Sequence, residues 1–343
     1  MIRFFHFHIP LVRPLVLRHA TLHEREGIIL EIRDQHGHRG LGECSPLPGF
    51  FSESVADCIQ WLSANKSRVE HGEIPDSPPS LQSAVAQARL FLSCHQEHHT
   101  PLQKLGITQN SCPVNALLTG DREQILEKSE RLASNGFTAA KLKVGRGGVE
   151  EDIDLVTEVR ARIPRSIALR LDANHSWSFR DAFEFSKRID WSGIEYCEEP
   201  LSDPSKLNEL KREFPSVRIA LDESFVAHGE QIFSIYSDPV AVILRPQMLG
   251  GFEATREIMR RLADRGIARV ISSAAESSLG MLTVLLCALS GSSPITPAGL
   301  DTLSWLADDT VEHPLLMQQG KIDWPDWWQA IRINEGVGEW HEL

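Results

Sequence analysis

The composition of this chain is that of an ordinary globular protein. Its 343 residues are 42% hydrophobic and 24% charged, and a chain of this length can bury a large core, which predicts two domains. A formal net charge of −12 argues against nucleic acid and anionic membranes as partners. The first residues lack a long apolar signal segment, the apolar runs are too short to span a membrane, and the six cysteines form no CxxC pair, so we expect a cytoplasmic location.

The first part of the chain, residues 1 to about 104, has the pattern of a small α+β domain. The stretches IILEIRD (28–34) and RGLGEC (39–44) predict antiparallel strands, and a loop rich in proline, glycine and aromatic residues follows at 44–54. Two helical patterns come next, near 52–66 and 80–95. The loop has the composition of a segment that closes over a site, although a plain surface turn has the same composition.

From residue 112 onward, short apolar runs alternate with amphipathic stretches at a repeat of 23 to 28 residues. The runs, with their first residues, are CPVNALL (112), AAKLKV (139), IALRLDA (167), IEYCEEP (194), RIALDES (218), AVILRP (241), RVISSA (269) and ITPAGL (295). Helical patterns lie between them, for example at 121–135 and 178–189. Eight strand–helix periods predict a parallel (β/α) barrel, whereas the alternative, an open doubly wound sheet, lacks a GxGxxG motif after the first run.

The barrel pattern stops after residue 312. The strand-like stretches KIDW (321–324) and GVGEWHEL (336–343) follow it. We therefore expect three segments, which are an N-terminal α+β segment at 1–104, a barrel at 105–312 and a C-terminal segment at 313–343 that returns to the first. The two chain ends together would form one α+β domain.

Polar residues recur at the ends of these runs, where the functional groups of a parallel barrel meet. They are Lys141, Lys143, Asp172, Asn174, Glu198, Asp222, Glu223, Arg245, Ser272 and Ser273. Because side chains alternate along a strand, residues two apart, such as Lys141 and Lys143, share one face. The carboxylates of Asp172, Glu198 and Asp222 can converge on one point. An all-oxygen ligand set without histidine or cysteine predicts Mg²⁺ before Mn²⁺.

Each of these residues also has an ordinary structural interpretation. A lone lysine at a strand end is usually a surface residue, and a lone aspartate after a strand often caps a helix. Recurrence at the same phase of consecutive repeats, with carboxylates on three runs and cations on two others, favours a common site. Glu199 and Glu223 directly follow ligand candidates and point to the opposite face, so we expect them to orient the lysines or to support the ligands. His6, His8 and the histidines at 95–99 are interpreted as surface or core residues, with no second metal site.

Several barrel motifs resemble those of the enolase superfamily, in its muconate-lactonizing-enzyme subgroup: KLKVG, LRLDANHSW, YCEEPL, LDES and LRPQMLGG. Three further stretches are similar to the o-succinylbenzoate synthase family within that subgroup, namely GLGECSPLPGFFSES, ISSAAESSLG and PAGLDTLSWL. The resemblance covers nearly the whole chain, from residue 25 to the last residue. It implies a modified TIM barrel, (β/α)₇β, with an α+β capping domain formed from the N- and C-terminal segments, which agrees with the division above.

The resemblance implies an Mg²⁺-dependent hydro-lyase of menaquinone biosynthesis. Its substrate would be a small dicarboxylate, 2-succinyl-6-hydroxy-2,4-cyclohexadiene-1-carboxylate, which loses water by syn-dehydration. Asp172, Glu198 and Asp222 would hold the Mg²⁺, which stabilises the enediolate formed when the α-proton leaves. Lys143 would be the general base, and Lys141 would hydrogen-bond a carboxylate oxygen of the substrate.

Arg245 departs from the family, which usually has lysine in a KP pair at this position. Arginine stays protonated, so Arg245 cannot be a second base. It would serve as a fixed cation, either near the enediolate or against the flat ring of the intermediate. A one-base syn-dehydration is compatible with this residue. An alternative function, an N-succinylamino acid or dipeptide racemase or epimerase, would need a base on each face of the α-carbon. A further alternative, a non-catalytic metal-binding barrel, has no use for both Lys141 and Lys143.

The candidates for substrate binding at the predicted rim are Asn174, Ser272, Ser273, Gly299, Asp301 and Thr302. The last three belong to the GLDT stretch that ends the eighth run, where backbone and hydroxyl donors could meet a succinyl carboxylate. A helix-capping role for Asp301 or Thr302 is equally compatible with the sequence.

Overall fold

The computed structural model of the chain describes residues 1–17, 21–71, 74 and 76–343. The N-terminal part begins with three strands of an antiparallel sheet, which are β1 (Ile2–Val16), β2 (Thr21–Arg33) and β3 (Arg39–Cys44). Four helices follow, namely α1 (Val55–Ala64), α2 (Lys66–His71), α3 (Pro79–Glu97) and α4 (Pro101–Leu105). Ser54 begins α1 with a capping box, because its hydroxyl accepts from the backbone of Asp57 while the Asp57 carboxylate accepts from the backbone of Ser54.

Helix α3 packs directly on β3 because two glycines leave room for it. A Cβ on Gly40 would lie 1.7 Å from the carbonyl oxygen of Ala88, and a Cβ on Gly42 would lie 1.9 Å from that of Ala84. Any larger residue would push the helix away from the sheet, so the RGLGEC stretch determines this contact. Apolar side chains fill the core between the strands and the helices, among them Ile2, Phe4, Ile28, Leu30, Val55, Leu62, Leu81 and Val85.

The central part of the chain forms a curled parallel sheet with helices around it. Strand β4 (Ser111–Pro113) leads into this sheet. Its seven strands, in spatial and chain order, are β5 (Asn115–Leu118), β6 (Ala139–Lys143), β7 (Ala168–Asp172), β8 (Ile194–Glu198), β9 (Ile219–Leu221), β10 (Ala241–Leu244) and β11 (Ala268–Ile271). The helices are α5 (Arg122–Glu130), α6 (Val149–Arg162), α7 (Phe179–Arg188), α8 (Leu207–Glu213), α9 (Glu223–His228), α10 (Phe252–Asp264) and α11 (Ser278–Leu289).

The eighth apolar run closes the barrel without forming a strand of its own. Ala298 pairs with Val114 on one side and Gly299 pairs with Ser272 on the other, each as a single parallel bridge. The ladder hydrogen bonds beside these bridges measure 2.8 to 3.0 Å. The sequence pattern predicts a full strand here, but Pro297 has no N–H to donate, and the run is limited to the two bridges.

The C-terminal segment contacts both parts of the molecule. Strands β12 (Met317–Gln318) and β13 (Lys321–Asp323) form an antiparallel sheet with β4, and β14 (Gly338–Glu342) pairs with β1 at the edge of the N-terminal sheet. Both chain ends thus build the capping domain beside the barrel, and the expected fold class is confirmed. The domain boundaries at 104 and 312 stay predictions.

Helices α5 and α11 differ in how much of their length is regular and buried. The helix predicted at 121–135 is shorter than expected, because α5 ends at Glu130 and the chain continues in turns to Gly136, whose φ is +78°. Helix α11 is buried along its whole length and packs against α10, β11 and the cap strand β3. Among the residues with described structure, no helix is long and apolar enough to cross a membrane.

Candidate active site

The three candidate metal ligands meet at the carboxyl ends of neighbouring strands. Asp172 ends β7, Glu198 ends β8, and Asp222 directly follows β9. Asp172 and Glu198 are register partners in the parallel sheet, and all three residues are fully buried, at 0% exposure. Carboxylates brought together away from water repel one another, so the site requires positive charge or hydrogen-bond donors.

Two lysines of β6 meet these carboxylates, as alternation along the strand predicts. The Nζ of Lys141 lies 3.0 Å from Oδ2 of Asp172 and 3.2 Å from Oε1 of Glu198. The Nζ of Lys143 donates to the same oxygen of Asp172 at 2.6 Å and to Oδ1 of Asn174 at 2.6 Å. Lys141 is buried, whereas 21% of the Lys143 side chain is exposed at the rim. Lys143 is therefore the lysine that a molecule entering from the rim can reach.

Arg245 closes the third side of the carboxylate cluster. It follows β10 and binds both oxygens of Asp222, with Nε donating to Oδ1 at 3.1 Å and Nη2 donating to Oδ2 at 2.5 Å. Its Nη1 donates to the carbonyl oxygen of Ser273. The ring of Phe50, in the cap loop 44–54, has its centroid 5.1 Å from the guanidinium carbon. The cap loop thus reaches the site, and the guanidinium of Arg245 is held from three directions.

Burial and neighbouring charges together set the pKa values in this cluster. Burial raises the pKa of Glu198, and the neighbouring carboxylate of Asp172 raises it further. Burial also acts to raise the pKa of Asp172, but the ammonium groups of Lys141 and Lys143 outweigh burial and hold this pKa well below its usual range. Burial alone would lower the pKa of Lys141, but the charges of Asp172 and Glu198 raise it instead. With Asp222 and Arg245, three carboxylates and three cations share one buried volume.

The carboxylate cluster fits a hard divalent cation. Its donors are all oxygens, and Oε2 of Glu198 is a buried atom without a hydrogen-bond partner in the part of the chain that the structure describes. A buried carboxylate oxygen without a partner is unfavourable unless a ligand meets it. The donor set and this oxygen favour Mg²⁺ over metals that prefer nitrogen or sulfur.

Glu199 supports the backbone that carries Asp222. Its Oε1 accepts from the N–H groups of Asp222 and Ser224, both at 2.8 Å, and its Oε2 accepts from the hydroxyl of Ser224 at 2.8 Å. Burial raises the pKa of Glu199 to about 7, although these hydrogen bonds act to lower it. Of the two roles expected from the sequence, the contacts favour support of a ligand over orientation of a lysine.

Glu223 acts on a lysine through one intermediate residue. Its Oε1 accepts from Nδ2 of Asn174 at 2.8 Å, and Oδ1 of Asn174 accepts from Lys143. Asn174, His175 and Glu199 have φ values of +43°, +60° and +42°, so three non-glycine residues described at this site adopt the left-handed region. Such backbone outliers persist where the surroundings hold them, and they concentrate at functional sites.

The rim between β11 and the eighth run brings four of the predicted substrate-binding residues together. The hydroxyls of Ser273 and Thr302 lie 2.8 Å apart. The hydroxyl of Ser272 lies 3.4 Å from the carbonyl oxygen of Gly299, with which Ser272 also forms a backbone bridge. These groups offer hydrogen-bond donors beside Arg245, whose guanidinium binds the carbonyl oxygen of Ser273.

Asp301 does not join this group. Its Oδ2 accepts from the N–H of Leu117 at 2.9 Å and from Nζ of Lys128 at 2.8 Å, so its carboxylate ties the eighth run to β5 and α5. Neither it nor Thr302 caps a helix through its side chain, since Thr302 precedes a short 3₁₀ turn and makes no capping bond. The structure therefore favours a structural role for Asp301 over the substrate contact expected from the sequence.

Two side chains near the site were missed by the sequence analysis. Phe50 lies in the loop 44–54, whose composition is that of a segment that closes over a site. Its position directly after Pro48 and Gly49 is the sequence feature that could have indicated it. Arg146 lies in the glycine-rich turn after β6 and donates to Oγ1 of Thr119 at 2.7 Å. Burial lowers the pKa of Arg146 while the charge of Asp172 raises it, which places this guanidinium in the electrostatic field of the cluster.

Comparison with known proteins identifies the family of the chain. Two family models match it, Enolase C-terminal domain-like over residues 124–328 and MenC, N-terminal domain over residues 1–92. The o-succinylbenzoate synthase of Yersinia enterocolitica is 30% identical over 335 residues, which span 94% of this chain and 93% of that protein. The chain belongs to the o-succinylbenzoate synthase family. Members of this family are hydro-lyases of the enolase superfamily, so the protein is an enzyme of that class, and the resemblance seen in the motifs is confirmed.

Several solved structures share the fold of this chain at lower sequence identity. The N-succinyl Arg/Lys racemase from Bacillus cereus has a TM-score of 0.83 at 20% identity, with 99% of both chains covered. A dipeptide epimerase from Cytophaga hutchinsonii, in complex with Mg and a dipeptide, has a TM-score of 0.78 at 24% identity, with 97% of this chain and 99% of that chain covered. These likenesses confirm the architecture of a barrel with a capping domain.

Proposed function

We propose that this family member catalyses the syn-dehydration of 2-succinyl-6-hydroxy-2,4-cyclohexadiene-1-carboxylate to o-succinylbenzoate in menaquinone biosynthesis, and that it requires Mg²⁺. The observation that carries the proposal is the 2.6 Å contact of the Lys143 amine with Asp172, at the rim of a carboxylate cluster that suits a divalent cation. The choice of substrate is supported by 30% identity to curated synthases over nearly the whole chain. A cytoplasmic location is supported by six free cysteines.

The positive charge near the substrate would come both from the chain and from the metal ion. Asp172, Glu198 and Asp222 would hold Mg²⁺. When bound, the ion supplies positive charge beside the substrate carboxylate, where negative charge develops as the α-proton leaves. Lys141, buried between two of these carboxylates, would donate a hydrogen bond to a carboxylate oxygen of the substrate. A dianionic substrate needs such local cations because the whole chain carries a net charge of −12.

Lys143 would act first as a base and then as an acid. Its neutral amine takes the α-proton, and the electron pair left behind forms a ring double bond as the C–OH bond breaks. The same ammonium then returns the proton to the departing hydroxide, so the products are an aromatic ring and one water. The dehydration needs no oxidant or reductant. Both proton transfers occur on one face of the ring, and one lysine is therefore sufficient.

We propose that the succinyl carboxylate is bound at the rim beside Arg245. The supporting groups are the paired hydroxyls of Ser273 and Thr302 and the nearby Ser272 and Gly299. The guanidinium of Arg146, in the turn after β6, feels the charge of Asp172 and would attract the dianionic substrate to the site. Asn174 would act through Lys143, which it holds at 2.6 Å, rather than through the substrate. An Arg146→Met variant tests this attraction, because loss of a cation that attracts the substrate raises KM more than it lowers kcat.

A racemase or epimerase would need a second base on the opposite face of the α-carbon. Arg245 follows β10, at the chain position where the family usually has a lysine, and it donates to both oxygens of Asp222. A guanidinium that stays protonated cannot accept the proton. We therefore expect no useful racemisation of N-succinylamino acids. Deuterium incorporation at the α-carbon of both enantiomers in D₂O decides between the two functions, and rapid exchange from both would mean that another base faces Lys143.

The direct test incubates purified protein and Mg²⁺ with the cyclohexadiene substrate and follows the aromatic product by its absorbance. The unmodified protein should form product, and Lys143→Ala should not. Lys187→Ala, which changes an exposed lysine of α7, is the matched control and should remain active. Failure of the unmodified protein with Mg²⁺ to form product would contradict the proposed function.

A further inference from the structure

The capping sheet carries a second group of metal-ligating side chains, separate from the barrel site. His6 and His8 of β1 and Glu26 of β2 each offer one ligand atom, and these atoms all lie within 4.8 Å of one another. His8 and Glu26 are register partners across the two strands, and His6 lies on the same face, two residues before His8. Histidines that the sequence pattern assigns to the surface or the core thus meet a carboxylate across a strand pair.

This group lies where the core of the capping domain ends. Phe4, on the same face of β1, is buried in the core between the sheet and the helices. Further along the same face, 26% of the His6 side chain and 45% of the Glu26 side chain are exposed. The ligand atoms are therefore open to solvent ions, while their backbones belong to a regular strand pair that holds them at fixed spacing.

The contacts within the group are those that a metal ion would take over. The Nε2 of His6 lies 2.8 Å from Oε1 of Glu26, and the rings of His6 and His8 have centroids 4.7 Å apart. The Nδ1 of His8 pairs with Oε1 of Glu24 at 3.2 Å, which leaves Nε2 as the ring nitrogen of His8 outside this pair. A carboxylate behind a ligating histidine fixes the ring orientation and raises its basicity, which is the arrangement of many protein metal sites.

We propose that His6, His8 and Glu26 bind one borderline divalent transition-metal ion, with Zn²⁺ as the probe, and thereby link β1 to β2. Two imidazoles and a carboxylate are donors that Zn²⁺ accepts, and water can complete a tetrahedron. Ligand atoms around tetrahedral Zn²⁺ lie about 3.4 Å apart, so small side-chain rotations suffice to close the site from the observed spacing. Mg²⁺ prefers oxygen ligands and does not compete here.

The test is a calorimetric titration of the full chain with Zn²⁺ in excess Mg²⁺, which occupies the barrel carboxylates. The same titration in an Asp172→Asn/His175→Gln background removes the contribution of the barrel carboxylates and that of a second histidine-containing group of possible ligands in the barrel. The unmodified protein should bind one Zn²⁺ per chain, and the double variant His6→Gln/His8→Gln should bind it at least about tenfold more weakly. His36→Gln, which changes an exposed histidine in the turn between β2 and β3, is the matched control and should bind as the unmodified chain does.

The melting temperature and the absorption spectrum of bound Co²⁺ report on the same site independently of calorimetry. Zn²⁺ should raise the Tm of the unmodified protein and not that of the double variant, and Co²⁺ should give a visible absorption band only when the two histidines are present. If circular dichroism shows that the double variant is unfolded, Glu26→Gln serves in its place. Equal Zn²⁺ affinity in the unmodified and the double-variant protein would overturn the proposal. Dehydration with Mg²⁺ should be the same in both, so the outcome is independent of the proposed function.

Discussion

Lys143 is held by two acceptors before any substrate arrives. Oδ2 of Asp172 and Oδ1 of Asn174 each lie 2.6 Å from its Nζ, and Asn174 is held in turn by Glu223. The left-handed backbone of Asn174 is a conformation that a non-glycine residue adopts at a cost of about 1–3 kcal/mol, so its position is imposed by the surroundings. The proton-accepting amine is thus positioned by a chain of hydrogen bonds that the fold itself provides.

Lys143→Ala should abolish dehydration while the fold survives. Loss of a general base lowers the rate by a factor of about 10² to 10⁴, and the loss is larger when the same group also returns the proton as an acid. The measurements are kcat, the circular dichroism spectrum and the Mg²⁺ affinity of the variant, with Lys187→Ala as the control. A near-normal kcat for Lys143→Ala would mean that the proton leaves by another route.

Arg245 should influence metal binding as well as turnover. Its guanidinium occupies both oxygens of Asp222, a candidate ligand, and hydrogen bonds to charged groups contribute about 1.5–3 kcal/mol each. Arg245→Met should therefore bind Mg²⁺ about tenfold more tightly, and it should dehydrate the substrate more slowly because the developing negative charge loses a nearby cation. Arg245→Lys keeps the positive charge but loses the bidentate hydrogen bonds to Asp222, so this variant should bind Mg²⁺ more tightly and retain or raise kcat. Calorimetry with Mg²⁺ and steady-state rates check both, and unchanged values in Arg245→Met would contradict this role.

At the scale of single elements, the site is assembled from the ends of consecutive strands. Lys143 on β6, Asp172 on β7 and Glu198 on β8 follow one another as register partners across the parallel sheet. Neighbouring strands of such a sheet lie about 4.8 Å apart, so each side chain at this level reaches the next one. Turns that begin α9 and the 3₁₀ segment after β10 then carry Asp222 and Arg245 to the same level.

Removal of the divalent cation should abolish activity and lower stability. Three buried carboxylates on three strand ends repel one another, and a bound cation stabilises the folded state by about 2.7 kcal/mol at a hundredfold excess over its Kd. EDTA should eliminate dehydration, Mg²⁺ should restore it, and Mg²⁺ should raise the Tm. The Glu198→Gln variant should show neither the restoration nor the shift in Tm. Full activity of a chelated, metal-free sample would contradict the prediction.

At the scale of the whole molecule, buried polar contacts join the capping domain to the barrel. Arg25 of β2 donates to the carbonyl oxygens of Ala275 at 3.0 Å and Ser45 at 2.6 Å, which ties the cap loop to the loop after β11. Glu43 of β3 accepts from backbone N–H groups at the start of α11. Beside them, Oε1 of Glu276 is buried without a partner among the described residues.

This interface should make stability depend on pH. Burial, with a further contribution from the charge of Glu43, raises the pKa of Glu276 to about 7 from 4.5 in the unfolded chain. The folded protein therefore binds this proton more tightly, so the stabilising contribution of Glu276 is complete below pH 4.5 and is lost as the pH rises through 7. Glu276→Gln should raise the free energy of unfolding at pH 8 by up to about 3 kcal/mol, and the difference should shrink towards pH 5.

Urea unfolding of both proteins at pH 5, 6, 7 and 8 measures the effect of Glu276. The difference between the two proteins at each pH isolates this residue from the other buried carboxyls, such as Asp309, whose pKa burial raises to about 6. Glu213→Gln, at the exposed end of α8, is the control and should follow the unmodified protein at every pH. A difference that stays constant from pH 5 to 8 would show that Glu276 does not titrate in this range.

The barrel and its carboxylates could be predicted from the sequence because both follow from local rules. A repeat of 23 to 28 residues marks one strand and one helix, and the period of two along a strand puts Lys141 and Lys143 on one face. Parallel strands present their carboxyl ends at one rim, so polar residues at the end of each run are brought together by the repeat itself. The sequence motifs, in addition, indicated the family to which the chain belongs.

The contacts that decide how the site works are set by the tertiary structure. The grip of Arg245 on Asp222, the approach of Phe50 and the binding of Asp301 to Lys128 instead of the rim all join segments that are distant along the chain. The same is true of the barrel closure by two bridges and of the two histidines of β1 that meet Glu26 of β2. Local periodicity indicates on which face of a strand or helix a side chain lies. The residue that this side chain contacts depends on how whole elements pack, and this packing is determined only when the entire core is assembled.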